Sequence, residues 1–443
     1  MTSEIVIMNT QAVAMAADSA VTLGGQKTRK IFTTALKIFA LSNTCPVGIM
    51  IYGNADFMLV PWETLVKTYR NYLGKKEFPF LRDYAHGFIK YLRRKTSFFP
   101  ESQQKSFFKS QVSSYFYLVK RDIDDQLKEL TSSKPQFSIE DVQSIIEDVV
   151  NRHYKKWKRS KTLPSLPRGY QRNLVTKYKG LIEEMKKRIF EKLPLSKVLS
   201  SRLVYIASAL FAKFPEGIES GATSGIVIAG FGSKDIFPSL YSYTLEGIVN
   251  NQLKYQLFKK AEVSSTYAGV IVPFAQAEMV FAFMEGVDIG YEKEIEAYFR
   301  VLCAEYPKKI IDSIDALADN EKEKFKQLFR TESKKVHGEY MRKLEEYRRK
   351  NNVDPVMSVV TMLPKDELAA MAESLVYLTL LKRKVTIGEE ETVAGPIDVA
   401  IISKGDGFIW IKRKHYFRPE LNPQFFARYK GERKNGVKTQ DRG

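Results

Sequence analysis

Thr2 is the residue whose type and position first suggest chemistry, because removal of Met1 would leave a hydroxyl and a free α-amine on the same residue. A hydroxyl nucleophile needs a base, and a neutral α-amine beside it can act as that base without a histidine. A nearby Lys ammonium lowers the pKa of such an amine by like-charge repulsion, and a buried carboxylate would hold both cations in place. Lys and Asp are therefore the partners to look for around Thr2. By itself, Met followed by Thr is also an ordinary chain start.

Metal and redox chemistry are not indicated by the sequence. Neither of the two cysteines belongs to a Cys-x-x-Cys motif, and the four histidines form no i,i+4 pair. We therefore predict no metal ion, no cofactor and no disulfide, with buried thiols in a reducing cytosol. The two cysteines are Cys45 and Cys303, and the four histidines are His86, His153, His337 and His415.

The net charge of +19 comes from two segments of the chain. The segment from Arg152 to Arg202 contains 16 basic and 3 acidic residues, and the segment from Lys412 to Gly443 contains 10 and 3. Such segments attract polyanions. In the first of them, aromatic and basic side chains alternate in a way that could stack on bases and contact phosphates. The candidate nucleic-acid contacts are Lys155, Lys156, Trp157, Lys158 and Arg159, and the alternative is a solvated helix face.

The elements that must position these residues follow from hydrophobic patterning. Short β-type runs come in blocks that are separated by pairs of amphipathic helices and do not alternate with them one by one, which favours an antiparallel α+β protein over a doubly wound one. The predicted strands are Ile5 to Met8, Ala12 to Ala17, Ile31 to Leu41, Val47 to Tyr52, Gly225 to Gly230, Ser239 to Tyr243, Ser264 to Val272, Pro396 to Ser403 and Gly407 to Ile411. The longest apolar stretch, Ala268 to Val287, contains polar residues and is predicted to be core, so we expect no membrane span and a cytoplasmic protein.

Five stretches together resemble proteasome β-type subunits, as in the 20S proteasome and its bacterial relatives. The run from Thr2 to Thr22 is similar to the start of a mature subunit, with Asp18 at the same spacing from the terminal Thr. The others, in the family's order, are Leu36 to Leu41, Gly48 to Asp56, the pair Gly225 to Gly230 and Pro238 to Ser242, and Gly395 to Gly407.

The resemblance implies an αββα sandwich of two antiparallel sheets flanked by helices, with two large helical insertions. It also implies site residues: Thr2 as nucleophile, Asp18 as orienting carboxylate, Lys37 as the cation that lowers the amine pKa, and Gly53 as a backbone oxyanion donor. Lys30 competes with Lys37, because the chain between Asp18 and the lysine is longer here than in the family. Ser264 or Ser265 could support the terminal amine, whereas Glu389 to Thr392 matches the family's second supporting motif poorly.

The expected sandwich comprises residues 1–70, 203–290 and 362–411. Residues 71–202 form a basic helical insertion, residues 291–361 a second insertion, and residues 412–443 a basic tail. The expected activity is hydrolysis of peptide or amide bonds through an acyl-enzyme on Thr2, by a homo-oligomer. The alternative is a catalytically inactive scaffold whose basic insertion and tail bind nucleic acid or an acidic partner. An amidase that acts on a small molecule is a third option.

Overall fold

The protein is an α+β chain built from antiparallel sheets and long helices. Its structure, a computed structural model, describes residues 3–23, 30–94, 96–133, 136, 138–191, 193–217, 221–386, 395–415 and 417–427. The chain divides into two compact units. Unit 1 comprises Met1–Ile38, Thr266–Ile402 and Phe408–Gly443, and unit 2 comprises Phe39–Ser265 and Ser403–Gly407. The predicted α+β class with antiparallel sheets is confirmed.

Two five-stranded sheets contain most of the strands in the described part of the chain. The strands are β1 Ser3–Asn9, β2 Ala12–Ala17, β3 Val21–Leu23, β4 Lys30–Phe32, β5 Ile38–Ala40, β6 Val47–Gly53, β7 Asp56–Phe57, β8 Val60–Pro61, β9 Ser224–Gly230, β10 Ser239–Val249, β11 Gln252–Glu262, β12 Gly269–Ala275, β13 Asp398–Ser403 and β14 Gly407–Lys412. One sheet has the order β12-β1-β2-β13-β14 and the other the order β11-β10-β9-β6-β5, and two short hairpins pair β3 with β4 and β7 with β8.

The helices fall into two blocks. The first lies between β8 and β9 and the second between β12 and β13, so that helices and strands come in groups along the chain. The α-helices are α1 Trp62–Leu73, α2 Leu81–Arg94, α3 Glu101–Ser133, α4 Ile139–Arg159, α5 Tyr170–Phe190, α6 Lys197–Ala209, α7 Glu278–Glu285, α8 Ile289–Asp312, α9 Asp319–Arg348, α10 Asp354–Met362 and α11 Lys365–Val385. A π-turn at Arg349–Val353 joins α9 to α10, and short 3-10 turns lie at Thr96–Phe98 and Pro419–Leu421.

The core of unit 1 forms between one face of its sheet and the helices α7, α10 and α11. Alternate residues of a strand face opposite sides, so Ile5 and Ile7 of β1 pack with Ala14 and Ala16 of β2 against this helical layer. Glu4 therefore lies on the other face of β1. Because every residue of β1 and β2 is buried, polar side chains at their ends must find partners inside the protein.

The main core of unit 2 is the helical block α3 to α6. Its buried side chains include Phe108, Trp157 and Tyr178, and the Phe108 and Tyr178 rings stack with their centroids 4.3 Å apart. Ser138 begins α4 with a capping box, in which its hydroxyl accepts from the Asp141 amide and the Asp141 carboxylate accepts from the Ser138 amide.

Two predicted strands are interrupted or shortened in the structure, and one long strand of the structure has no predicted counterpart. The run from Ile31 to Leu41 is divided into β4 and β5, with the non-strand segment 33–37 between them. The run from Ser264 to Val272 begins in a bend, and its strand starts only at Gly269. The long strand β11 was not predicted, because it is a sheet edge with Lys254, Lys259 and Lys260, and charged edges weaken the β pattern.

No α-helix in the described part of the chain is both long enough and apolar enough to cross a bilayer.

Candidate functional site

Asp18 accepts hydrogen bonds from two backbone amides and one ammonium in unit 1. It follows β2 directly, where the β1–β2 ladder ends, and its own amide donates to the Ser3 carbonyl at 3.1 Å. Its Oδ1 accepts from the Ser3 amide at 3.0 Å and its Oδ2 from the Ala20 amide at 3.1 Å. The side chain is fully buried. Three donors around one carboxyl group suit an ionised carboxylate, which can only accept.

Lys37 supplies the third donor. Its Nζ lies 2.6 Å from Asp18 Oδ1, and the residue is only 5% exposed. The segment between β4 and β5 carries this lysine, so the break in the predicted long strand is what places it next to the end of β2. Oδ1 of Asp18 is thus shared between the Ser3 amide and an ammonium, in a site with little access to water.

Glu4 introduces a second carboxyl group that the motif reasoning did not single out as a site residue. The residue is 1% exposed, and neither carboxyl oxygen has a hydrogen-bond partner among the described residues. Burial raises the pKa of Glu4 well above its ordinary value, while the Lys37 ammonium lowers it and the Asp18 carboxylate raises it further. The electrostatic influence of both residues places Glu4 in the same cluster.

Asp398 and Lys414 form a second ion pair in unit 1. Asp398 lies at the start of β13, is 1% exposed, and accepts from the Lys414 amide at 2.9 Å and from its Nζ at 2.5 Å. Burial lowers the pKa of Lys414, the Asp398 carboxylate opposes that shift, and Lys37 and Asp18 both act on the same ammonium. The two ion pairs are therefore neighbours. Within the described residues, no group of His, Cys, Asp and Glu side chains is arranged to hold a metal ion.

Some of the predicted site residues are not among the residues that the structure describes in full. Thr2 and the segment Glu389 to Thr392 fall outside the described residues, and for Lys30 only its backbone place in β4 is described. The described residue nearest to Thr2 in the chain is Ser3, whose amide donates a hydrogen bond to Asp18 Oδ1. The Lys37 ammonium contacts Asp18, and the role of Lys30 as the alternative catalytic lysine stays a prediction.

Gly53 ends β6 in unit 2. Its φ of +85° belongs to the left-handed region, and a Cβ at this position would lie 2.6 Å from the Thr223 carbonyl oxygen. Only glycine fits such a position without strain. These constraints explain why the residue is glycine. The role of its backbone amide as an oxyanion donor stays a prediction.

Ser264 and Ser265 lie in unit 2, in the connection between β11 and β12. Ser264 is half-buried and Ser265 is exposed. Their predicted support of the Thr2 amine also stays a prediction.

Comparisons with known proteins give only distant structural matches. No family model matches the chain, and no curated protein does. Among solved structures, an Anbu (Gly-1) mutant from Hyphomicrobium sp. strain MC1 matches at 9% identity over 100% of both chains, with a TM-score of 0.24. The helical assembly of the Anbu complex from Pseudomonas aeruginosa matches at 8% identity over 99% of this chain and 98% of that one, with a TM-score of 0.25. At such TM-scores the similarity supports no conclusion about activity.

The resemblance to proteasome β-type subunits is corrected by these comparisons. No family model matches the chain, and the solved structures that it matches are described as Anbu. Short motifs in a common order, without similarity over the remaining chain, led to the wrong family. The geometry around Asp18 does not depend on that assignment, because it is a property of the described residues themselves.

A separate basic cavity lies within unit 2. It has a volume of about 940 Å³ and lies between the end of α4, the loop that follows it, and the segment 214–216. Thr162 bridges to Lys213, and the Leu163 amide donates to the Ala212 carbonyl at 2.9 Å, which fixes the loop wall. Five cations and one carboxylate line the cavity, namely Arg152, Lys155, Lys156, Arg159, Lys161 and Glu216. We call it the basic groove.

Trp157 is not part of this surface. It is 2% exposed, and its ring meets Tyr115 edge-on at 5.5 Å. Its position on the buried face of α4 means that it anchors the helix and is not available to stack on a base. Of the other predicted contacts, Lys155, Lys156 and Arg159 line the basic groove and Lys158 does not.

Glu4, Asp398 and Lys414 are the site residues that sequence reasoning missed. Glu4 and Asp398 each interrupt an otherwise apolar strand sequence, and a charged residue in such a strand is a signal for a buried polar cluster. Lys414 carried no such signal, since it lies in a basic stretch where a solvated lysine is the ordinary expectation.

Proposed function

We propose that the protein is an N-terminal threonine hydrolase that cleaves peptide or amide bonds, with Thr2 exposed by removal of Met1. The observation that carries the proposal is the buried Asp18 carboxylate, whose Oδ1 accepts hydrogen bonds from both the Ser3 amide and the Lys37 ammonium. Ser3 follows Thr2 directly in the chain. An α-amine base requires a buried Asp–Lys pair close to it, and the contact of Ser3 with such a pair supports the proposed role of Thr2.

The reaction follows from these groups. The Thr2 hydroxyl attacks the carbonyl carbon of the substrate while its proton passes to the α-amine, giving a tetrahedral intermediate. Cleavage of the carbon–nitrogen bond releases the amine product, which takes the proton from the α-ammonium, and leaves an ester on Thr2. Water then attacks the ester while the α-amine accepts a proton from it. Cleavage of the bond between the acyl carbon and Thr2 Oγ releases the acid product, and Oγ takes the proton back from the α-ammonium. Lys37 favours the neutral amine, Asp18 fixes Lys37, and the Gly53 amide is proposed to stabilise the oxyanion.

Two measurements test this proposal. Intact-mass analysis of the purified chain should give the mass without Met1, because retention of Met1 would leave no free Thr2 amine. Hydrolysis of a panel of peptide and small amide substrates should then fall by at least about 10³-fold in Thr2→Ala. Thr2→Ser, which keeps a hydroxyl, should retain part of the activity, and Thr10→Ala serves as a matched control. Equal hydrolysis by Thr2→Ala and the wild type would reject the proposal.

We further propose that the chain is cytoplasmic, since both Cys45 and Cys303 are free thiols. Its division into a sandwich with insertions at 71–202 and 291–361 also stays a proposal.

The basic groove favours a second candidate function, which is binding of single-stranded nucleic acid. Lys155, Arg159 and Lys161 are exposed and form no ion pair with any residue that the structure describes. The half-buried Phe214 ring lines the same groove. Free cations beside an aromatic ring are the combination that binds a phosphodiester backbone together with its bases.

Binding of a fluorescent single-stranded oligonucleotide at stepped salt concentrations tests this second function. The triple variant Lys155→Gln, Arg159→Gln, Lys161→Gln should weaken binding and lower the slope of log K against log salt by about 2. The control triple Lys75→Gln, Lys90→Gln, Arg93→Gln makes the same change in net charge on exposed residues outside the groove. Equal losses in the two triples would show that net charge alone drives binding, and the groove would not be a site.

A further inference from the structure

The helical hairpin of α8 and α9 has almost no buried side chains. The 24-residue helix α8 buries only Ile311, and the 30-residue helix α9 buries none. Helices in globular proteins owe most of their stability to a buried apolar face. Two helices of this length without a buried apolar face are therefore expected to pack against a further surface.

The two helices nevertheless contact each other and are fixed at one end. Phe299 of α8 lies with its ring centroid 4.2 Å from that of Tyr340 in α9. Arg348 at the end of α9 pairs with Glu285, at 2.8 Å, and with Glu292. The hairpin is thus an ordered element whose mutual face is already used, and its other faces are available.

An apolar stripe follows one of the available faces of α8. Its residues recur at intervals of seven and then four, which places them along one side of a helix. Their exposed fractions lie between 42% and 72%. The stripe consists of Tyr291, Tyr298, Leu302, Tyr306 and Ile310. On α9 the large exposed apolar side chains are Phe325, Leu328, Phe329, Val336, Leu344 and Tyr347.

We propose that this stripe is the contact surface for a second copy of the chain, with the α8 helices of the two copies packed antiparallel about a two-fold axis near Leu302. An isologous contact of this kind uses the same surface on both copies. The proposal goes beyond hydrolysis and nucleic-acid binding and does not depend on either.

Charge favours a copy over a polyanion or an acidic protein as the occupant. The chain has a net charge of +19, whereas α8 and α9 together contain 12 acidic and 13 basic residues. The hairpin is therefore nearly neutral, so copies can approach it with little repulsion and a polyanion has no reason to prefer it.

The distribution of charge along α8 favours the antiparallel arrangement. Its first eleven residues carry Glu292, Glu294 and Glu296 against one lysine, and its last thirteen carry Arg300, Lys308 and Lys309 against two acids. Antiparallel packing places the acidic first part of one copy beside the slightly basic last part of the other, whereas parallel packing places the acidic parts together.

The available area is that of a weak, reversible contact. Half-exposed side chains of this size each offer on the order of 100 Å². The five residues of the stripe together offer on the order of 500 Å² per partner, which lies at the low end of specific interfaces, where about 1,200 Å² or less is buried in total.

Sedimentation velocity over a range of protein concentrations tests the interface. We expect a reversible dimerisation step that Leu302→Glu with Tyr306→Glu weakens at least 10-fold. The control Val198→Glu with Ile236→Glu, two exposed apolar residues in unit 2, should leave that step unchanged. Circular dichroism checks that both variants keep their helices. A wild-type chain that stays monomeric, or a dimer that the hairpin variant does not weaken, would overturn the proposal.

Cross-linking tests the antiparallel register in the full chain carrying Cys303→Ser. With the axis near position 302, Leu302→Cys should cross-link to itself through a short bismaleimide. Tyr298→Cys and Tyr306→Cys should cross-link to each other when mixed. Each should cross-link poorly alone, because the two copies of either position lie about 12 Å apart along the helix axis. Strong self-cross-linking at all three positions would instead indicate parallel helices and contradict the register.

Discussion

At the scale of single residues, a buried network of charge lies beside Ser3, the residue that follows the proposed nucleophile Thr2 in the chain. Asp18 and Lys37 are both nearly inaccessible to water. A buried ion pair has a high cost of desolvation, so it contributes little net stability while the loss of one partner is expensive. The small net stability that such a pair contributes, where β1 begins and β2 ends, supports the proposal that it serves chemistry at Thr2.

Asp18→Asn should destabilise the protein by about 3–5 kcal/mol, because the Lys37 ammonium would remain buried without its counter-ion. Urea unfolding measures this loss. The double variant Asp18→Asn, Lys37→Met should recover part of it, since the uncompensated charge is removed as well. Additive losses in the two single variants would mean that the two side chains are not energetically coupled.

Glu4→Gln should change how stability depends on pH. The pKa of Glu4 is raised in the folded state above its unfolded value of about 4.5. Below that pH the carboxyl group is protonated in both states, so its burial has no ionisation cost. As pH rises from there through the folded pKa, the wild type should lose stability relative to Glu4→Gln, and the difference should then become constant. Thermal unfolding of both proteins at pH 4, 6 and 8 gives this comparison. A wild type that gains stability over the variant with rising pH would indicate an ionised, well-paired Glu4.

At the scale of elements, the strands that hold the site follow from their sequences. The apolar runs that form β1, β2, β6 and β9 were predicted almost to the residue, because a strand buried throughout is continuously apolar. The position of Lys37 was harder to predict. It depends on the interruption between β4 and β5, which no strong turn residue in segment 33–37 signals. The Ala35 amide in this segment donates to the Ser19 carbonyl at 3.1 Å.

The resemblance implied that Asp18 and Lys37 lie together, whereas the second buried ion pair could not be predicted from the sequence. Asp398 and Lys414 are 16 residues apart, and both lie far along the chain from Asp18. Only the sheet order β12-β1-β2-β13-β14, which inserts the late strand β13 beside β2, brings them together. Pairings of this kind are fixed by topology, which local patterns do not specify.

Gly53→Ala and Gly180→Ala should have opposite effects on stability. At Gly53 a Cβ meets the Thr223 carbonyl oxygen at 2.6 Å and φ is +85°, so alanine should cost about 1–3 kcal/mol. At Gly180 in α5, no heavy atom lies within 4 Å of a new Cβ, and alanine should stabilise by roughly 0.5–1 kcal/mol. Chemical denaturation of the two variants measures both changes. A neutral Gly53→Ala would show that the end of β6 can relax.

At the scale of the whole molecule, a charge of +19 opposes compaction through self-repulsion. Raising salt from 50 to 500 mM should therefore increase the melting temperature, by about 2 °C or more. Differential scanning fluorimetry with sodium chloride measures this shift. A melting temperature that falls with salt would mean that favourable surface ion pairs outweigh the excess of positive charge.

The most direct test of the central claim is covalent labelling of the active nucleophile. The intact protein would be treated with hydroxyl-reactive peptide electrophiles, such as peptide boronates and epoxyketones, and the adducts located by mass spectrometry. We predict one adduct per chain on the N-terminal peptide at Thr2, slowed at least about 100-fold in Lys37→Met and absent in Thr2→Ala. If no electrophile gives an adduct that depends on Thr2, the chain start is not a nucleophile and the hydrolase assignment is wrong.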